Sequence, residues 1–145
     1  MSRGGYRLLL DTSFLLPVLG FETSARVTEA FRRLGAHELY YSDVSLLEAL
    51  WSIVKVIRGS EEELSRIEEG VTAIRGTMKQ APVTGEAVRG AIRMYRMGHR
   101  DLIDDLLFSM AASGGLRLLT VDEELVRFVE DHGLPREHVM TPDEL

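Results

Sequence analysis

The sequence predicts an α/β fold, a three-layer α/β/α sandwich around a central, mostly parallel sheet, and three observations carry that prediction. Short apolar runs of strand length alternate along the chain with longer segments of helical period. The strand-like runs end in Asp, Ser or Thr, whose side chains cap the helix that follows. Glycines at 35, 59, 98 and 133 close the helical segments. Strands separated by helices need crossover connections, which make neighbouring strands parallel and cover both faces of the sheet.

Taken in order, Tyr6 to Leu10 reads as a buried strand, and Asp11-Thr12-Ser13 offers caps to a helical turn over Phe14 to Leu19. Glu22 to Leu34 reads as a helix with Val27, Ala30, Phe31 and Leu34 on one face. Glu38 to Tyr41 is a second strand, followed by a helix from about Val44 to Ile57 whose buried face is read as Leu46, Leu47, Leu50, Ile53, Val54 and Ile57. Glu61 to Met78 is a charged helix with Leu64, Ile67, Val71 and Ile74 as its apolar stripe. Ala81-Pro82-Val83 reads as a brief strand or a linker. Helices follow at Thr84 to Met97 and His99 to Ser113, then a strand at Leu116 to Leu119, a helix at Asp122 to His132 and an edge strand at Val139-Met140.

The chain of 145 residues is the size of one domain, here residues 1–145, and its 45% hydrophobic and 28% charged residues are those of a globular protein. No apolar run reaches the ~20 residues that span a bilayer, and the short apolar stretch after Met1 to Gly5 lacks the length of a signal peptide. The absence of cysteine removes disulfides, thiolate zinc sites and a cysteine nucleophile. Together these features point to a cytoplasmic address with no membrane role. A net charge of −6 argues against a protein that grips nucleic acid over its whole surface. A localised acidic site that handles phosphates through metal ions stays open.

In open parallel sheets, ligands bind beyond the carboxyl ends of the strands. Asp11, Asp43 and Asp122 all follow strands and are expected at one edge. The segments that carry them form a pattern. Leu8-Leu9-Leu10-Asp11-Thr12-Ser13 resembles the opening motif of the PIN-domain family, and Ser42-Asp43-Val44-Ser45-Leu46-Leu47-Glu48 is similar to its second. Ile103-Asp104-Asp105-Leu106-Leu107-Phe108-Ser109-Met110-Ala111 is similar to the third motif, and Leu118-Leu119-Thr120-Val121-Asp122 resembles the fourth. The resemblance covers nearly the whole chain. It implies a ribonuclease dependent on Mg2+ or Mn2+ that uses Asp11, Glu48, Asp104 and Asp122 as catalytic and metal-binding residues. It further implies RNA as substrate, a homodimer, and an antitoxin partner, as in small single-domain toxins of the VapC type.

Electrostatics agrees with that implication. Four ionised carboxylates at ~6 Å spacing in an effective dielectric of ~20 repel by roughly 3 kcal/mol per pair. Summed over the set, this exceeds a domain's typical net stability of ~5–15 kcal/mol, so protonation or a cation must relieve it. Hard divalent cations take oxygen ligands.

Each candidate also has a structural reading. Asp11 caps the helix after the first strand, and Thr120 with Glu123 fits a capping box that leaves Asp122 to favour the helix dipole. On a helical wheel Asp104 lies at the edge of the apolar face formed by Ile103, Leu106, Leu107, Met110 and Ala111. Asp101 and Asp105 are expected on a solvated face. Glu48 falls roughly opposite the apolar face of its own helix, so its place in the site rests on the resemblance. Thr12, Ser13 and Thr120 are candidate supporting hydroxyls. Arg96, His99 and Arg100 could border the acidic pocket and hold an RNA backbone, and Trp51 and Phe108 are read as packing residues of a core or a dimer interface.

Other patterns fall away. The kinase-like His99-Arg100-Asp101-Leu102 has no Gly-rich loop or metal-binding Asn to accompany it. No P-loop exists, and the four histidines lack zinc-ligand spacing. An aspartyl-phosphate mechanism at Asp11 wants a second Asp where Ser13 stands. The alternative from another class is a PIN-shaped module that binds RNA or protein without cutting.

Overall fold

The computed structural model describes residues 5–145; the leading residues 1–4, part of the stretch weighed above as a signal peptide, lie outside the described residues. The elements run β1 (Arg7–Leu10), α1 (Thr12–Leu15), α2 (Ala25–Phe31), β2 (Glu38–Tyr41), α3 (Asp43–Val54), α4 (Glu61–Thr77) and β3 (Lys79–Gln80). They continue as α5 (Gly85–Met97), α6 (Leu102–Gly114), β4 (Arg117–Leu119), α7 (Glu123–Asp131) and β5 (Val139–Met140). The five strands form one sheet in the order β3-β2-β1-β4-β5, and each neighbouring pair is parallel.

Strand periodicity divides the core in two. Leu8 and Leu10 of β1 and Leu119 of β4 face a cluster with Phe14, Leu15, Leu46, Ile53 and Ile74 from α1, α3 and α4. Leu9 and Leu118 face the opposite cluster, with Met94, Leu107, Phe108, Met110 and Leu125 from α5, α6 and α7. Leu8, Leu9 and Leu10 are all fully buried, which explains why β1 reads as a continuous apolar run rather than an alternating one. Because β2 and β3 continue to one side of β1 while β4 and β5 lie on the other, the strand order reverses between β1 and β4. That switch point is where parallel sheets open a crevice at their carboxyl edge.

Several boundaries differ from those expected. The second helix begins only after the Ser24 cap, whose side chain accepts from Val27 N, and a 3-10 turn at Leu34–Ala36 replaces its last turn. The brief strand lies at Lys79–Gln80 rather than at residues 81–83, because Pro82 offers no N–H to a ladder. His99 lies outside α6, which Asp101 caps by accepting from Asp104 N at 3.2 Å. Among the described residues no helix is long and apolar enough to cross a membrane.

Candidate functional site

The switch point brings the ends of β1 and β4 together, and Asp11 N donates to Leu119 O at 3.2 Å. Asp11 is both cap and buried carboxylate. Its Oδ1 accepts from Ser13 N at 3.0 Å at the start of α1, yet the residue is only 7% exposed. Burial pushes its carboxyl up to about 6; hydrogen bonds from Thr120 and from the Ser13 backbone oppose the rise, while the charges of Glu48 and Asp122 add to it.

After β4 the chain turns through Thr120, which is buried and whose Oγ1 accepts from Asp122 N at 3.0 Å. The expected capping box of Thr120 and Glu123 does not form, because α7 starts one residue after Asp122. Asp122 is itself the cap, accepting from Glu124 N at 3.0 Å and Leu125 N at 3.3 Å. Asp104, in the first turn of α6, faces it. Burial, a hydrogen bond with Asp122 and the charges of Asp101, Asp122 and Asp11 push the Asp104 carboxyl up to about 9. Burial would also raise Asp122, but the hydrogen bond from Asp104 and those from the backbone of Leu125 and Glu124 prevail and bring it down.

Glu48 joins from α3. Its Oε1 accepts a hydrogen bond from Thr12 Oγ1, which ties α3 to the turn after β1. The helical wheel misplaced this residue. The buried face of α3 is Ser45, Leu46, Ala49 and Ile53, whereas Leu47 is 66% exposed and Val54 59% exposed. Small and hydroxyl residues line the close contact with α1, so a wheel weighted by hydrophobicity points away from it. Leu47 instead lines an apolar hollow of about 450 Å³ with Val44, Glu48, Trp51 and Ile103. Trp51 is 63% exposed and does not pack in the core, while Phe108 does.

Two other acids depart from expectation. Asp43 stays at the surface, bound by Arg75 at 3.2 Å and by Gln80 at 2.8 Å, and does not join the cluster. Asp105, expected in solvent, is fully buried, with Oδ1 2.5 Å from Nδ1 of the buried His99. Burial raises its carboxyl to about 6 against the lowering effect of His99. The His99 ring packs on Phe128, with centroids 5.1 Å apart, and Phe128 stacks on His132. The sequence signal for this pair was slight. Asp105 precedes Ser109 by four residues, so the two share a strip of α6 that α5 covers.

The PIN domain family profile matches residues 8–130. This chain belongs to that family. Solved PIN-like structures superpose over nearly its full length at low identity. VapBC2 from Rickettsia felis, bound to a DNA fragment from its promoter, is 12% identical with a TM-score of 0.63, covering 93% of this chain and 98% of that one. FitAcB from Neisseria gonorrhoeae is 18% identical with a TM-score of 0.64, covering 95% and 99%. VapC20 from Mycobacterium tuberculosis, described as a Sarcin-Ricin loop cleaving toxin, is 15% identical with a TM-score of 0.62, covering 89% and 97%. At these identities the likeness establishes the PIN fold alone. No curated protein matches the chain in sequence.

The donor set of this PIN domain suits a hard divalent cation: the clustered side chains offer only oxygen, and two of the carboxyls are held above their ordinary range by burial and mutual repulsion. Among the described residues, no three acidic or imidazole groups already stand in a coordinating arrangement.

Proposed function

We propose that this PIN domain is a metal-dependent ribonuclease that hydrolyses RNA phosphodiester bonds. The observation that carries the reading is the meeting of Asp104 and Asp122 beside the buried Asp11 at the switch point of the sheet. Neighbouring carboxyls pushed apart in this way, Asp104 up and Asp122 down, are a mark of functional sites.

Asp11, Asp104 and Asp122 are the residues that would hold Mg2+ or Mn2+, with Glu48 as a further ligand or as the group that positions the attacking water. When bound, the ion supplies Lewis-acid stabilisation of the phosphate and a water of lowered pKa. The chain's own residues prepare the place. Ser13 N–H and Thr120 fix the orientation of Asp11. Thr12 fixes Glu48, and the first N–H groups of α7 fix Asp122. Asp104 holds a proton at neutral pH that a cation would displace.

The toxin and toxin–antitoxin names carried by the structural neighbours support a toxin role with an antitoxin as partner, and a homodimer in the cytoplasm completes the proposal. The exposed Trp51 and the apolar hollow beside Glu48 are consistent with a protein partner close to the site.

The test is cleavage of a structured and a single-stranded RNA by purified protein in Mg2+, Mn2+ or EDTA, beside Asp11→Asn. Cutting that needs metal and disappears in Asp11→Asn is the expected result. No cutting with any metal, with RNA or protein binding indifferent to the substitution, would leave a PIN-shaped binding module instead.

A further inference from the structure

In a chain with more acids than bases, the cations of α5 are distributed unevenly. Residues 85–100 carry Arg89, Arg93, Arg96 and Arg100 against the single acid Glu86. The spacing i, i+4, i+7 puts Arg89, Arg93 and Arg96 on one line, within a narrow arc of the helix that spans about 10 Å of its axis, and Arg100 follows beyond the turn at Gly98. Ala87, Ala91 and Met94 are the buried face, so the arginines point outward. All four are exposed, and among the described residues none makes an ion pair, whereas Arg7, Arg26, Arg75 and Arg136 elsewhere on the surface each do.

The stripe has a direction. Helix α5 runs antiparallel to α6, packed so closely that a Cβ on Gly90 would stand 2.7 Å from Ser109 Oγ. The turn at Gly98 therefore delivers Arg96 and Arg100 to the start of α6, where Asp101 caps the helix and Asp104 faces Asp122. At the far end, Arg89 and Arg93 border a groove of about 340 Å³ between α5, α6 and Leu134–Pro135. The guanidinium of Arg100 lies 5.0 Å from the centroid of the Tyr95 ring, which restricts its rotamers while leaving its N–H edge available.

We propose that this arginine stripe is the track along which the sugar–phosphate backbone of the RNA substrate lies as it leaves the carboxylate site, an inference that rests on the ribonuclease reading. Guanidinium groups bind phosphate through paired N–H donors, and all four positions are Arg rather than Lys. An acidic protein segment on the same line would meet Asp101 and Asp122 with like charge. A phosphodiester arriving there would share the cation that the carboxylates call for.

The test compares the full chain with Arg89→Gln/Arg93→Gln and with Arg32→Gln/Arg33→Gln, a pair of exposed arginines near the amino edge of β2. Binding of labelled single-stranded RNA is measured across salt in EDTA, and cleavage kinetics in Mn2+. Loss of two phosphate contacts lowers the slope of log K against log salt by roughly 1.4. KM is expected to rise about tenfold with kcat within about twofold, while the control pair changes neither. Unchanged slope and KM in a wild-type protein that cuts RNA would overturn the track and leave the nuclease standing. An unchanged slope with lost affinity for a polyglutamate peptide would make the stripe a protein-docking face. A wild-type protein that neither binds nor cuts RNA would sink both readings.

Discussion

Nδ1 of His99 lies 2.5 Å from Oδ1 of Asp105, and at 5% and 0% exposure neither side chain reaches solvent. The pair locks the turn before α6 to the helix itself, directly beside Asp104. Removing one partner strands the other in a dry interior, at a cost of about 3–5 kcal/mol. Asp105→Ala is therefore expected to lower Tm by roughly 10 °C in a chain of this size. The double variant His99→Phe/Asp105→Leu should lose less than the two single changes combined. Thermal unfolding of the four proteins tests this, and additive losses would show that the pair is not coupled.

Two glycines of α4 should respond to alanine with opposite signs. A Cβ on Gly70 would stand 2.6 Å from Val18 O and 2.8 Å from Leu19 Cα, both backbone atoms that cannot swing aside. A Cβ on Gly76 would meet nothing within 4 Å. Alanine is the better helix former by ~1 kcal/mol, but overpacking costs ~1–3 kcal/mol. Gly76→Ala should raise the urea midpoint, and Gly70→Ala should lower it despite the gain in helix propensity. A rise in both would mean that α4 can move off the Val18–Leu19 segment at little cost.

Much of this fold was legible because its signals are local. Leu8 to Leu10 read as buried, and Gly98 ends α5. The misreadings share a cause. The wheel alone pointed Glu48 and Asp105 to solvent, though the family motif kept Glu48 in the site, because a helical wheel scores apolar surface and each residue has a serine one turn away, Ser45 and Ser109. Ser45 and Ala49 let α3 approach the rest of the fold, and Gly90 and Ser109 let α5 approach α6. Close helix contact needs small residues, not large apolar ones. Leu47 and Val54 misled in the opposite sense, being apolar yet exposed. The alternation of strands and helices made one edge readable for Asp11 and Asp122, though it wrongly added Asp43, while Asp104 was legible from the edge of its helix's apolar face and from the family motif.

The bond from Thr12 Oγ1 to Glu48 Oε1 separates positioning from folding. Thr12→Val keeps the side chain's shape and removes only the donor. A hydrogen bond to a charged group is worth about 1.5–3 kcal/mol, so a Glu48 released from its place should lower kcat/KM by roughly 10- to 100-fold. Glu48→Gln should lose at least as much, and adding it to Thr12→Val should cost little more. Cleavage kinetics of the three variants, with unfolding measured alongside, decides the matter. Full activity in Thr12→Val would release Glu48 from any need of this contact.

The carboxylate cluster also sets a dependence of stability on pH that a cation should erase. The folded-state carboxyl of Asp11 is raised to about 6 and that of Asp104 to about 9, from an ordinary value of 3.8. Across that interval the folded state binds more protons than the unfolded one, so stability falls as pH rises. The contribution of Asp11 is lost between about pH 4 and 6. That of Asp104 continues to fall through neutral pH, partly offset by Asp122, whose lowered value acts in the opposite sense. For Asp11 alone the change amounts to about 3 kcal/mol. In EDTA, Tm should therefore decline from pH 5 to pH 8, and Asp104→Asn should flatten the decline above pH 6. Added Mn2+ should restore Tm most at the alkaline end, where the carboxylates are ionised and repel one another. A Tm that rises with pH in EDTA, or a Mn2+ effect equal at pH 5 and pH 8, would mean that these side chains do not form one electrostatically coupled site.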